Sequence, residues 1–123
     1  GVRNGMDKAW WEDGKPKHIL NYKNGSKDGR FEYYNSNGVL LRAGFHENNK
    51  KSGLWEGWYD SGNLHYSANY VEGFLDGKMT YFYPNRQKML EFIYKNGELD
   101  SSLSKKRWNE DGSERTKPFD WIE

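Results

Sequence analysis

At 123 residues the chain has the length of one domain, and its 19 basic and 18 acidic residues leave a net charge of +1, without the basic excess of a nucleic-acid binder. It has no cysteine, which excludes disulfides, thiolate metal sites and a cysteine nucleophile. No apolar run approaches the roughly 20 residues that span a bilayer, and the large side chains are six Trp, nine Tyr and six Phe, which favours a thin, extended fold over a thick two-layer one.

Four glycines, Gly5, Gly29, Gly53 and Gly77, follow one another at intervals of 24 residues, and a fixed period of that size marks a repeat architecture. The first copy, 5–28, has Trp10 and Trp11, a turn at Asp13-Gly14, then Tyr22 and a second turn at Asn24-Gly25. The second, 29–52, repeats the order with Phe31, Tyr34, Asn37-Gly38, His46 and Asn48-Asn49. In the third, 53–76, Leu54–Tyr59 reads as a short aromatic strand, Asp60–Asn63 as a turn and Leu64–Val71 as a second strand, and 72–77 closes the unit. The fourth, 77–100, has Met79, Phe82 and Tyr83, with Pro84 and Arg86 in its turn and Asn96-Gly97 at its close. Only Gly, Asn and Asp readily take the positive φ that tight hairpin turns demand, so these positions predict a hairpin per copy.

A fifth, degenerate copy is expected over 101–115. It starts at Ser101 and reaches its turn Gly112 two residues late, with Trp108 standing in the aromatic column. The remainder, 116–123, reads as a C-terminal cap in which Phe119, Trp121 and Ile122 cover the last hairpin. The basic run Lys105-Lys106-Arg107 lies among Glu110, Asp111 and Glu114 and reads as solvated surface. A single hairpin does not stand alone in water, but stacked hairpins cover one another. The expected fold is therefore all-β: one domain over 1–123, built as an elongated single antiparallel sheet of stacked 24-residue β-hairpin repeats, solenoid-like.

Strand alternation divides the aromatics between two faces. Phe31, Tyr33, Trp55, Tyr59, Met79, Tyr81 and Tyr83 fall on one; Trp10, Tyr34, Trp58 and Phe82 fall on the other, beside polar neighbours. A sheet one layer thick leaves ring surface exposed, and exposed aromatics mark binding surfaces. The candidate binding residues are accordingly Trp10, Tyr34, Trp58, Phe82, Tyr59 and Tyr83. Trp58→Ala is expected to cost about 3–5 kcal/mol if that ring is buried.

Catalytic and cofactor signals are weak. His18, His46 and His65 do not share a repeat column, and no metal site is expected. Glu32 and Glu56 share a column but read as exposed strand positions. The glycines at 24-residue spacing read as turn glycines rather than as a phosphate-cradling loop, so no cofactor is expected.

The pattern Gly-x-aromatic-x-x-aromatic-aromatic-x-x-Gly, then Tyr-x-Asn-Gly-x-x-x-Gly, resembles the MORN-type repeat, in the variant of bacterial YwqK-family antitoxins. Gly53, Trp55, Trp58, Tyr59, Gly62, Tyr70, Gly73 and Gly77 carry it, as do Tyr83, Tyr94, Asn96 and Gly97. The resemblance spans residues 5–100, with departures at Asn49, Arg86 and Ser101. It implies a non-enzymatic protein-interaction module, with a bacterial antitoxin or immunity protein as its specific form and another protein as partner. The alternative is a carbohydrate or cell-wall binding module working through an exposed aromatic groove. Gly1 rather than Met opens the chain, so the bacterial cytoplasm and the exported or cell-envelope space both stay open.

Overall fold

The computed structural model describes residues 3–100 and 105–115. Its thirteen strands form one antiparallel sheet: β1 (Gly5–Trp10), β2 (Pro16–Lys23), β3 (Ser26–Lys27), β4 (Gly29–Tyr34), β5 (Leu40–Glu47), β6 (Lys50–Trp58), β7 (Leu64–Val71), β8 (Phe74–Leu75), β9 (Gly77–Phe82), β10 (Lys88–Lys95), β11 (Glu98–Leu99), β12 (Lys105–Trp108) and β13 (Glu114–Arg115). The order across the sheet is β1-β2-β4-β5-β6-β7-β9-β10-β12-β13, with the short β3, β8 and β11 on β2, β7 and β10. The chain is thus a meander, each strand of that path pairing with the one before it in the order given. No helix among the described residues is long and apolar enough to cross a membrane.

Two kinds of turn make the two edges. Asn24 and Gly25 sit at φ 50° and 85°, Asn48 and Asn49 at 49° and 68°, Glu72 and Gly73 at 52° and 85°, Asn96 and Gly97 at 52° and 83°. Positive φ at both central residues defines the type I′ hairpin, whose twist matches the strands it joins. Asn49 therefore does in copy two what glycine does elsewhere. These turns bring the chain directly into the next strand, as into β6 at Lys50. The other edge has three-residue loops, such as Trp11 N–H to Lys15 O at 2.8 Å with Gly14 N–H to Trp11 O at 2.9 Å. Arg86 fills the glycine position of the fourth such loop at φ 76°.

Each turn is tied to the copy before it. The N–H groups of Gly25, Asn49, Gly73 and Gly97 donate to the carbonyls of Arg3, Lys27, Lys51 and Leu75 at 2.8–2.9 Å. At the opposite edge Tyr59 Oη donates to Phe82 O at 2.6 Å and Tyr83 Oη to Trp108 O at 2.8 Å. The second of these places Trp108 in the aromatic column despite the two-residue offset, as its position in the sequence suggests. Ser101 and the cap residues Phe119, Trp121 and Ile122 lie outside the described residues.

Directly opposed residues share a face of the sheet. One row runs Ala9, His18, Tyr33, Arg42, Gly57, Tyr66, Tyr81, Leu90, Arg107. The next row on the other face runs Lys8, Ile19, Glu32, Ala43, Glu56, Ser67, Thr80, Glu91, Lys106. These are the ring face and the glutamate face below. Every full hairpin carries a β-bulge just after its loop, on the returning strand: Ala9 pairs with His18 but Trp10 with Pro16, so Lys17 is left unpaired. Leu41, His65 and Met89 hold the same place in copies two to four. The core is thin: among the described residues Ala43, Trp55 and Ala68 are the buried apolar ones, and no large side chain is completely enclosed.

Candidate functional site

β6 sends Trp55 onto the ring face, where it is 5% exposed. Its indole lies over the backbone of Gly44 on β5, and the ring of Tyr66 lies over Gly57 in the same way. A methyl group at either glycine would fall inside the ring that covers it. Neither is a turn glycine: both sit in mid-strand because an aromatic needs the space. Trp55 Nε1 donates to Phe45 O at 2.9 Å, which fixes the indole's orientation.

Around Trp55 gather Phe31, stacked at 5.6 Å, His46, edge-on at 5.1 Å, and Tyr70, edge-on at 6.1 Å. A second cluster lies toward the loops. His65, the bulged residue of copy three, stacks on Tyr59 at 4.3 Å and meets Tyr66 and Tyr81 at 5.7 and 6.1 Å. The bulge explains how neighbours in sequence, His65 and Tyr66, reach one cluster.

Leu20, Phe31, Trp55 and Tyr66 line a recess of about 310 Å³, together with Lys27, Arg42, His46 and Lys51. The polar share of this lining is cationic. Lys51 Nζ stands 4.8 Å from the Trp55 ring centre and 5.0 Å from that of Tyr70. Among the described residues no carboxylate forms an ion pair with Lys27, Arg42 or Lys51. The field of these cations is felt by their neighbour: burial, then Lys27 and Lys51, push the His46 pKa below its ordinary value. Burial raises the phenols of Tyr66 and Tyr70, so both remain neutral donors.

On the glutamate face two glutamates are met by bases. Glu91, 5% exposed, is met by Lys88 at 3.2 Å and Lys78 at 3.8 Å. Glu32 accepts from Arg30 Nε at 3.0 Å and from Tyr34 Oη at 3.1 Å. Glu56 is separated from Glu32 by the β5 strand, with Ala43 between them in the row.

The six residues singled out by sequence are divided between the faces. Trp58 and Phe82 line one recess of about 390 Å³ on the glutamate face, with Leu64, Asn63 and Arg86. Trp10 is on the same face, 57% exposed, with Lys8 Nζ 5.7 Å from its ring, and Tyr34 is engaged with Glu32. Tyr59 and Tyr83 spend their hydroxyls on the neighbouring copy's backbone. The residues that sequence reasoning passed over are Lys27, Arg42, His46 and Lys51. Lys27 and Lys51 are 24 residues apart, so the period itself carried the signal. Among the described residues no group of three or more His, Asp or Glu is placed to hold a metal ion.

A family model described as a MORN repeat variant matches residues 4–24, 27–48 and 51–72, together more than half of the chain. The matched segments cover the first three copies, and the fourth continues in the same register. No curated protein matches the chain.

Proposed function

We propose that this chain, which belongs to the MORN repeat variant family, is a non-enzymatic protein-interaction module that binds its partner on the ring face. Chains of such repeats are repeat-based modules for protein interaction or for membrane or lipid binding. One observation carries the choice between them: the rings around Trp55 form a recess lined with cations, on a sheet that no second layer covers among the described residues. A recess accepts a protruding side chain, whereas a bilayer presents a flat surface and rewards clusters of projecting basic residues.

The specific form we propose is an antitoxin or immunity protein that masks a toxin. Its test is co-expression with the product of the adjacent gene. Co-purification and rescue of growth are expected, and both should be lost when Phe31 and Arg42 are replaced together by Ser. Absence of complex and of rescue would sink the antitoxin form.

A second reading, glycan contact, is favoured by the other face. Trp58 and Phe82 border one recess there, and Trp10 stands well exposed. Trp10, Tyr34, Trp58 and Phe82 would be its stacking residues, with Tyr59 and Tyr83 holding the loops. Glycan-array binding lost in Trp58→Ala supports this reading; a silent array removes it.

A further inference from the structure

We propose that the recess between Phe31, Trp55 and Tyr66 takes the carboxylate side chains of an acidic, extended segment of the partner protein, held by Lys27, Arg42 and Lys51. The inference rests on the protein-interaction reading and names the chemistry of that partner.

Charge complementarity is the argument. Three cations from three strands converge on one recess. Lys27 is on β3, Arg42 on β5 and Lys51 on β6. No described carboxylate forms an ion pair with any of them. Asp7, on the ring face, and Asp60, which lines a further recess with Arg42, already have partners. Asp7 is held by Arg3 at 3.3 Å, and Asp60 accepts from Asn35 Nδ2 at 3.2 Å. On the glutamate face, by contrast, Arg30, Lys78 and Lys88 each have a carboxylate within 4 Å. Lys8 and Lys106 on the glutamate face also have no ion pair among the described residues; what sets the ring face apart is that three such cations line one recess. A cation left beside aromatic rings, partly out of water, gains most from an anion that is itself desolvated on binding.

Size and shape point to side chains. A recess of about 310 Å³ is at the small end of the roughly 300–1,000 Å³ of ligand pockets. Trp55 forms its buried floor, Lys27 is half-buried, and Arg42 and Lys51 are exposed. An extended segment projects alternate side chains to one side, so an acidic residue can enter while its neighbours lie along the rings of the next cluster.

The test uses the full chain and a short labelled peptide alternating Glu with Ser and Tyr, beside the same peptide with Gln for Glu, followed by fluorescence anisotropy at low salt. The Glu peptide is expected to bind at least ten-fold more tightly than the Gln peptide and to weaken as salt is raised. The double variant Arg42→Gln, Lys51→Gln should lose at least ten-fold. Arg42→Gln alone, an exposed position with no hydrogen bond to break, should lose a smaller factor without any change in melting. Glu56→Gln on the opposite face should change nothing. Equal binding of the two peptides overturns the charge recognition and leaves the protein-interaction reading standing. Failure of both peptides overturns it as well. If vesicles of phosphatidylcholine and phosphatidylserine then sediment the chain, the protein-interaction reading falls with it.

Discussion

Trp55 and Trp58 are three residues apart on β6 and project from opposite faces of the sheet. Trp55 is covered by Phe31, His46 and Tyr70 and has its N–H bonded to Phe45 O. Trp58 is half-buried, at the border of a recess with Phe82, Leu64 and Arg86. Charge differs as sharply: the ring face gathers cations beside its rings and leaves them without carboxylates, while the glutamate face balances each glutamate of the Glu32 and Glu91 sites with a base. One face has a packed aromatic layer with spare positive charge, the other a neutralised polar layer with scattered apolar groups such as Phe45 and Leu54. A single sheet can thus have its stability concentrated on one side, because each hairpin covers its neighbour there.

The largest expected effect tests that asymmetry directly. Trp55→Ala should destabilise by about 3–5 kcal/mol in urea or thermal unfolding, because the ring is buried and leaves a cavity. Trp58→Ala, half-buried, should cost only about 1–2 kcal/mol, less than the figure that follows from assuming its burial. Trp10→Ala should stay within about 0.5 kcal/mol. Equal losses at the three positions would erase the difference between the faces.

Next come the glycines under the rings. Gly57→Ala should cost about 1–3 kcal/mol, since the Tyr66 ring must leave its place. The double variant Gly57→Ala, Tyr66→Ala should cost less than the sum of the two single changes, a coupling readable in a double-mutant cycle.

On the glutamate face, Arg86→Gly should stabilise by up to about 1 kcal/mol. It relieves a side chain held at φ 76°, against the lost bond from Arg86 Nε to Asn63 Oδ1 at 3.1 Å and the added freedom of glycine in the unfolded chain. A lower melting temperature in this variant would show that the bond outweighs the strain.

The finest effect is the pH dependence of His46. Its folded-state pKa lies below the ordinary 6.5, so on acidification the unfolded chain takes up the proton first. Stability should therefore be fully present above about pH 6.5 and decline as the pH falls from there toward the lower folded-state value. His46→Gln should flatten that decline relative to the parent chain; an unchanged profile would mean that burial, with Lys27 and Lys51 beside it, does not perturb this imidazole.

Much of the fold was legible in residue order. Gly5, Gly29, Gly53 and Gly77 set the period, Asn24-Gly25 and Asn96-Gly97 marked the type I′ turns, and alternation placed Phe31 and Trp55 together, apart from Tyr34 and Trp58. The binding surface was less so. Lys27 and Lys51 stood one period apart, but a lysine column looks like any solvated strand position until its neighbours are known. Gly44 and Gly57 fall outside the 24-residue columns, and the ring that requires each one arrives from an adjacent strand.

Residue order alone determined the hairpins, their length and their turns, since positive φ and strand alternation are local properties of the chain. Only the tertiary structure decided which rings close over which backbone and where the cations meet. Lys27, Arg42 and Lys51 belong to separate strands, and the bulges at Lys17, Leu41, His65 and Met89 shift the alternation within each hairpin. Pairing between strands, rather than spacing along one, therefore brings the charges to a single recess.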